Sequence, residues 1–227
     1  MVTQHLFSRL LEDNSLQSIP QHFDAGALEL TLTGITPAAK PAYLAILQKI
    51  LNKPVLFISA SKVDLEEIAR TTAFYQQKLL GKDNDRVAIF PAMEPGPYSG
   101  VSPHPEVLGQ RAVALWRTYC RTVDILVCAP TTLVTRLPDL RSDFRQVPEL
   151  VVGLAISPDK LVAYLEEAGY IAEEPVVSVG AFSRRGGILD VFPPVRENPV
   201  RVEFFGDEIE SLREFSVTSQ RSVGTIE

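Results

Sequence analysis

Gly180-Ala-Phe-Ser-Arg-Arg-Gly-Gly-Ile-Leu-Asp-Val-Phe-Pro-Pro194, followed by Val200-Arg-Val-Glu-Phe-Phe-Gly-Asp-Glu-Ile-Glu210, decides how the second half of this chain folds. Ile188 to Phe192 reads as a buried strand behind two glycines. Gly206-Asp207 reads as the turn of a hairpin whose arms are 200–205 and 209–215. Working back toward the N-terminus, Val176 to Val179 and Leu150 to Leu154 read as further strands. Ser157 opens a helix to Ala168 that Gly169 closes, since serine caps helix starts and glycine takes the left-handed stop. Strands joined by tight turns around one helix predict a smaller antiparallel α+β domain.

Ahead of a polar, proline-bounded stretch from Pro138 to Pro148 the pattern is different. Val55–Ile58, 86–90 and 124–129 are short, continuously apolar runs. They alternate with helical periodicity over 42–51, 63–80 and 105–119. That alternation predicts a parallel sheet with helices on both faces. A short helix over 5–16, a strand over 28–32 and a helix over 131–137 complete the reading. The expected division is residues 1–130 as a first domain, 131–199 as a second, and 200–227 as a hairpin and the start of a segment returning to the first.

The 227 residues are 45% hydrophobic and 22% charged, enough for one large or two small cores. The formal net charge of -6 gives no global field toward nucleic acid, so phosphate binding would need a local basic patch. Two cysteines, Cys120 and Cys128, provide neither a disulfide framework nor a zinc site and suit a reducing compartment. The first residues lack a basic, then apolar, signal pattern, and no apolar run reaches about 18 to 20 residues. A cytoplasmic protein without a membrane partner is expected.

Catalytic chemistry finds no constellation. Ser102-Pro-His104 lacks a nucleophile turn and an acid partner, His5, His22 and His104 are not at metal-ligand spacing, and the Glu66-Glu67, Glu166-Glu167 and Glu173-Glu174 pairs read as solvated faces. No catalytic or metal site is expected. Asp190, inside an apolar strand, reads as a structural hydrogen-bond acceptor. Gly34-Ile-Thr-Pro-Ala-Ala-Lys40-Pro41 has part of a phosphate loop. Gly34 and Lys40 stand where the first glycine and the lysine belong, while Ala39 replaces the second glycine and Pro41 the hydroxyl residue that would hold magnesium. Pro37 and Pro41 each remove an N–H donor, so the loop should not bind nucleotide. Phe182, Arg184, Arg185 and Gly186 have the composition of a binding hot spot, an aromatic beside arginine forks. The other reading is an arginine pair on a solvated turn, ion-paired to Glu173 or Glu174.

The motif at Gly180 to Glu210 resembles that of UvrB and the transcription-repair coupling factors, where an Arg-Gly-x-x-x-Asp-x-Phe-Pro pattern precedes Glu-Phe-Phe-Gly-Asp-Glu-Ile. Residues 55–62 also resemble the strand and turn after the phosphate loop of superfamily 2 helicases. Phe90 to Glu106, with Pro97-Tyr98 and Ser102-Pro-His104, is similar to the coupling-factor segment. It leaves no room for the DNA-clamping hairpin of UvrB. The degraded loop points the same way. The resemblance implies a degenerate helicase-like first domain and a second domain that contacts UvrA. Arg185 and Phe182 match the family's arginine and the aromatic three positions earlier. UvrB carries a further arginine where this chain has Ser183. In the full-length family protein the partners also include RNA polymerase and double-stranded DNA, with ATP and magnesium as cofactors. The implied role here is a non-enzymatic recruiting module in transcription-coupled repair that needs no cofactor. The alternative is a UvrB-type ATP-dependent repair enzyme fragment that binds damaged DNA.

Overall fold

Three apolar runs form the parallel sheet that the first half of the chain requires. The computed structural model describes residues 11–60, 64–82, 84–94, 99–144 and 147–226. Strands β1 (Val55–Ile58), β2 (Val87–Phe90) and β3 (Ile125–Cys128) lie in the order β1-β3-β2, with Val55 and Val87 both in register with Ile125. Parallel neighbours need crossovers, and helices supply them. These are α4 (Leu65–Leu80), between β1 and β2, and α5 (Pro105–Tyr119), between β2 and β3. Helix α3 (Lys40–Leu51) precedes β1 and ends on Asn52 in the left-handed conformation, φ 49°. Leu44 of α3 and Leu65 and Ala69 of α4 cover Ile125, Val127 and Ala129. Short helices α1 (Asn14–Gln17) and α2 (Ile19–Asp24) set Leu16 and Ile19 against Ile46 of α3.

Asp124, at the entry to β3, ties three segments of this unit together. Its carboxylate accepts from Lys82 Nζ at 2.6 Å and from Arg86 Nε and Nη2 at 3.1 and 2.8 Å. Lys82 also donates to Gln48 Oε1 at 2.8 Å. Desolvation pushes the Asp124 carboxyl up, but the bonds from Arg86 and Lys82 outweigh it and leave it below its ordinary value.

The chain divides into two units, residues 1–92 with 114–137, and 93–113 with 138–227. After α6 (Pro130–Leu133) and α7 (Leu140–Asp143), helix α8 (Pro158–Glu167) starts at Ser157, whose hydroxyl accepts from the Lys160 N–H, and stops before Gly169 at φ 87°. A six-stranded mixed sheet then runs in sequence order: β4 (Ile171–Ala172), β5 (Ala181–Arg185), β6 (Ile188–Val191), β7 (Val200–Phe205), β8 (Glu208–Phe215) and β9 (Ser222–Thr225). Only the β4–β5 pair is parallel.

Strand alternation divides the residues between two faces. Phe182, Leu189, Val191, Val200, Val202 and Leu212 turn to one face, where Leu161 and Leu165 of α8 close the core. A bulge at Glu203/Phe204 lets Ile209, three residues before Leu212, reach that same face. On the other face Ala181, Phe192 and Phe215 pack with Val176 into a smaller cluster. The N-terminal half of α5 belongs to this unit. A Cβ on Gly109 would lie 2.9 Å from Cβ of Pro194, so only glycine permits that approach.

Several sequence expectations differ from this fold. Residues 28–32 form no strand, and Leu28 is fully exposed, because alternating leucines need a neighbouring strand and none pairs with them. Residues 150–154 and 176–179 are loops. The first meets β8 through the Gly153 N–H to Ile209 O and Ile209 N–H to Leu154 O bonds, at 2.8 and 3.0 Å, next to the Ala155–Glu208 bridge, and the second is folded around Glu173, whose carboxylate accepts from the N–H groups of Val177 and Ser178. The helix expected over 5–16 lies partly outside the described residues, as do Ser61, Lys62 and Val63, Pro95 to Tyr98, and Arg145 and Gln146. Within them, Asp13 caps α1 as a separate turn. The hairpin from Val200 does not return to the first unit. β7 pairs with β6 from Val191↔Val200 to Ile188↔Glu203, so 200–226 extends the second unit's sheet, which is mixed rather than purely antiparallel.

Candidate partner-binding face

Two turns form one end of the second sheet. Gly186-Gly187 joins β5 to β6 and Gly206-Asp207 joins β7 to β8, with Gly186 and Gly206 at φ 59° and 62°, the left-handed values two-residue hairpins need. The Phe204 N–H donates to Gly187 O at 2.8 Å, so the turns lie side by side. A Cβ on Gly187 would meet Phe204 O at 3.1 Å.

The period of two separates the adjacent arginines. Arg185 is in register with Ile188, Glu203 and Ser211, and Asp190 with Arg201 and Arg213, all on the face opposite the leucine core. Arg184 pairs with Leu189 and turns the other way, where its guanidinium bonds Asp159 in the first turn of α8 and reaches Gly186 O at 3.5 Å. Phe182 is 4% exposed and is part of the core. Of the aromatic and two arginines singled out in the sequence, Arg185 alone stands on the open face, with Gly186 shaping the turn beside it.

Asp190 organises that face from beneath. It is 1% exposed and accepts from Arg201 Nε and Nη2 at 2.7 and 2.8 Å, and from Arg185 Nη2 at 3.2 Å. The bidentate fork raises the Arg201 pKa further, chiefly through its hydrogen bonds to Asp190. Arg201 also lies over the Phe215 ring, 4.8 Å from its centroid, so its plane is held from two sides. Arg185 is half-exposed, with Glu174 3.7 Å from its Nη1. Two guanidiniums thus share one buried carboxylate, and Glu174 ion-pairs with the outer one, Arg185, at the solvent side. Arg185, Ile188, Arg201 and Gln220 line a pocket of about 360 Å³ there. Glu203 accepts from the Ser211 hydroxyl and ion-pairs with Arg213, whose Nη2 lies 3.1 Å away. Beside them Phe205, at the end of β7, is 80% exposed. Sequence reading missed Arg201, Glu203 and Phe205. The signal was present, because 201, 203 and 205 share strand parity, but the face they join depends on the β6–β7 register.

The other sequence candidates do not gather into a site. Gly34 has φ 78°, Pro37–Ala39 is a 3-10 turn, and Lys40 starts α3 with no side-chain cap. Pro41 is buried and has no N–H to offer an anion. His104 Nδ1 accepts from the Glu106 N–H at 3.3 Å, a structural role at the start of α5. Among the described residues no group of acidic, histidine and cysteine side chains could hold a metal, and no helix is long and apolar enough to cross a membrane. Cys120 and Cys128 are unbonded to each other.

Residues 149–227 match the family model described as the UvrB interaction domain. Over 95% of its length the chain is 29% identical to the transcription-repair-coupling factor of Bacillus subtilis (strain 168). It is 34% identical over 89% of its length to that of Mycobacterium tuberculosis, and 35% identical over 58% to that of Escherichia coli (strain K12). It spans 18%, 16% and 11% of the length of those three relatives.

Proposed function

We propose, on the premise that this chain belongs to the transcription-repair-coupling factor family and carries its UvrB interaction domain at residues 149–227, that it is a UvrA-recruiting module of transcription-coupled nucleotide excision repair. The observation that carries this reading is the open face of the second sheet. Arg185 and Arg201 converge over Asp190 beside the exposed ring of Phe205. Guanidinium groups with an exposed aromatic are the anchors protein interfaces favour, and Asp190 preorganises them.

The first unit is read as a degenerate helicase-like domain. Its supports are the parallel β1-β3-β2 sheet and the loop at 34–41, where Ala39 and Pro41 replace the residues that close on phosphate and magnesium. On this reading the module hydrolyses no nucleotide, and like the repair it serves it belongs to the cytoplasm. RNA polymerase, double-stranded DNA, ATP and magnesium engage other parts of the full-length protein. A UvrB-type ATP-dependent enzyme would need the N–H that Pro41 lacks.

Titration of the chain with purified UvrA tests the reading. Wild type should bind saturably, and Arg185→Ala and Phe205→Ala should each weaken binding. Truncating a desolvated arginine in an interface costs about 2 to 5 kcal/mol, roughly 30-fold or more in affinity. No saturable binding by wild type, or full affinity in both variants, would remove this face as the recruiting surface.

A further inference from the structure

Gln220 has two unfavourable features that its surroundings do not require of a glutamine. Its backbone is left-handed at φ 56°, a conformation glycine and asparagine take with less strain. Its amide is fixed in orientation, because Nε2 donates to two carbonyls, Val217 O at 2.8 Å and Val176 O at 3.4 Å. Oε1 is then left buried, without a partner among the described residues. Strained backbone and unpaired buried acceptors persist where position matters, and this residue forms a wall of the Arg185–Arg201 pocket.

The turn around Gln220 would close without its side chain. The Gln220 N–H donates to Ser216 O at 2.8 Å and the Ser216 N–H to Arg221 O at 2.9 Å, both main-chain bonds. What the amide adds is a clamp between this turn and the separate loop at Val176. Phe215 and Val176 pack in one cluster, and Arg201 lies over the Phe215 ring. The amide therefore joins the two loops behind the arginine fork.

We propose that Gln220 is a positioning residue of the partner site, clamping the 216–220 turn to Val176 so that Arg201 and the pocket wall are preset for binding. The inference rests on the reading of this face as the UvrA site. Gln220→Gly and Gln220→Asn both suit the left-handed backbone, yet one lacks the amide and the other is a methylene too short for the clamp. Measured by calorimetry with purified UvrA, both should lose about fivefold or more in affinity while the melting temperature stays at or above that of wild type. Wild-type affinity in either variant, with Arg185→Ala still weakened, overturns the positioning role and leaves the face assigned. A loss of affinity that follows a fall in melting temperature also overturns it, because the residue would then be structural. Failure of wild type to bind UvrA overturns the reading of the face itself, and with it this inference.

Discussion

Arg185 and Arg201 contact the same carboxylate, and they should fail differently. Arg201 makes two short bonds to Asp190, which is 1% exposed, so Arg201→Ala leaves a buried charge held only by the 3.2 Å contact from Arg185. Breaking a buried pair from one side costs about 3 kcal/mol, and chemical denaturation should read a loss of that order. Arg185 is half-exposed, and its loss leaves the Asp190–Arg201 fork intact. Arg185→Ala should shift stability by less than about 1 kcal/mol while weakening UvrA binding. Equal destabilisation by both variants would contradict this division. At this scale the sequence was partly legible. An Arg-Arg-Gly-Gly motif announces a turn with forked donors. Strand parity puts the two neighbours on opposite faces, and which face is outward is decided by where Leu161 and Leu165 of α8 pack, which the motif itself does not announce. Phe182 shows the same limit. As an aromatic beside arginines it resembles an anchor, but its register partner Val191 places it in the core.

Elements were legible where local chemistry and packing agree. The continuous apolar runs at 55–58, 87–90 and 125–128 and the Ser157-to-Gly169 helix are strand and helix as their patterns demand. Leu28 to Leu32 has strand alternation and no partner, and a lone strand cannot satisfy its backbone. Two predictions belong here. Gly109→Ala should gain about 1 kcal/mol from helix propensity, but the new methyl at 2.9 Å from the rigid Pro194 ring costs about 1 to 3 kcal/mol. The net effect in a denaturant titration should be destabilising, and a stabilised variant would show that α5 can move away from Pro194. The second concerns acid. The Asp124 carboxyl is depressed in the fold, so its contribution is complete above the ordinary value of 3.8 and is lost as pH falls through the lower folded value. Asp124→Asn should be less stable than wild type at neutral pH, and the gap should narrow below about pH 4. A gap that stays constant down to pH 2 would argue against this account.

At the scale of the whole molecule, a net charge of -6 and an arginine fork held on a buried carboxylate suit recognition of a protein better than of a phosphate backbone. The loop at 34–41 should not take up nucleotide. Calorimetry with millimolar Mg-ATP should give no saturable heat, and a micromolar dissociation constant would refute that. The two-unit division was legible only in outline. The polar stretch from Pro138 marks one crossing, but residues 93–113 belong with the second unit through Gly109 and Pro194, a contact between segments 85 residues apart that no local pattern announces.

The bulge at Glu203/Phe204 and the two-residue turns at Gly186 and Gly206 imply that recognition and folding use one common ruler. A pairing register slipped by one residue past either turn would exchange odd and even positions along the strand that follows. From the Gly186 turn onward, Arg201 and the acids of β6 and β7 would then point into the space under α8, and Leu189 and the valines toward solvent. A chain that folds at all must therefore present Arg201, Glu203 and Phe205 together. In evolution this surface can change its side chains one at a time, but its spacing can change only if the core changes with it.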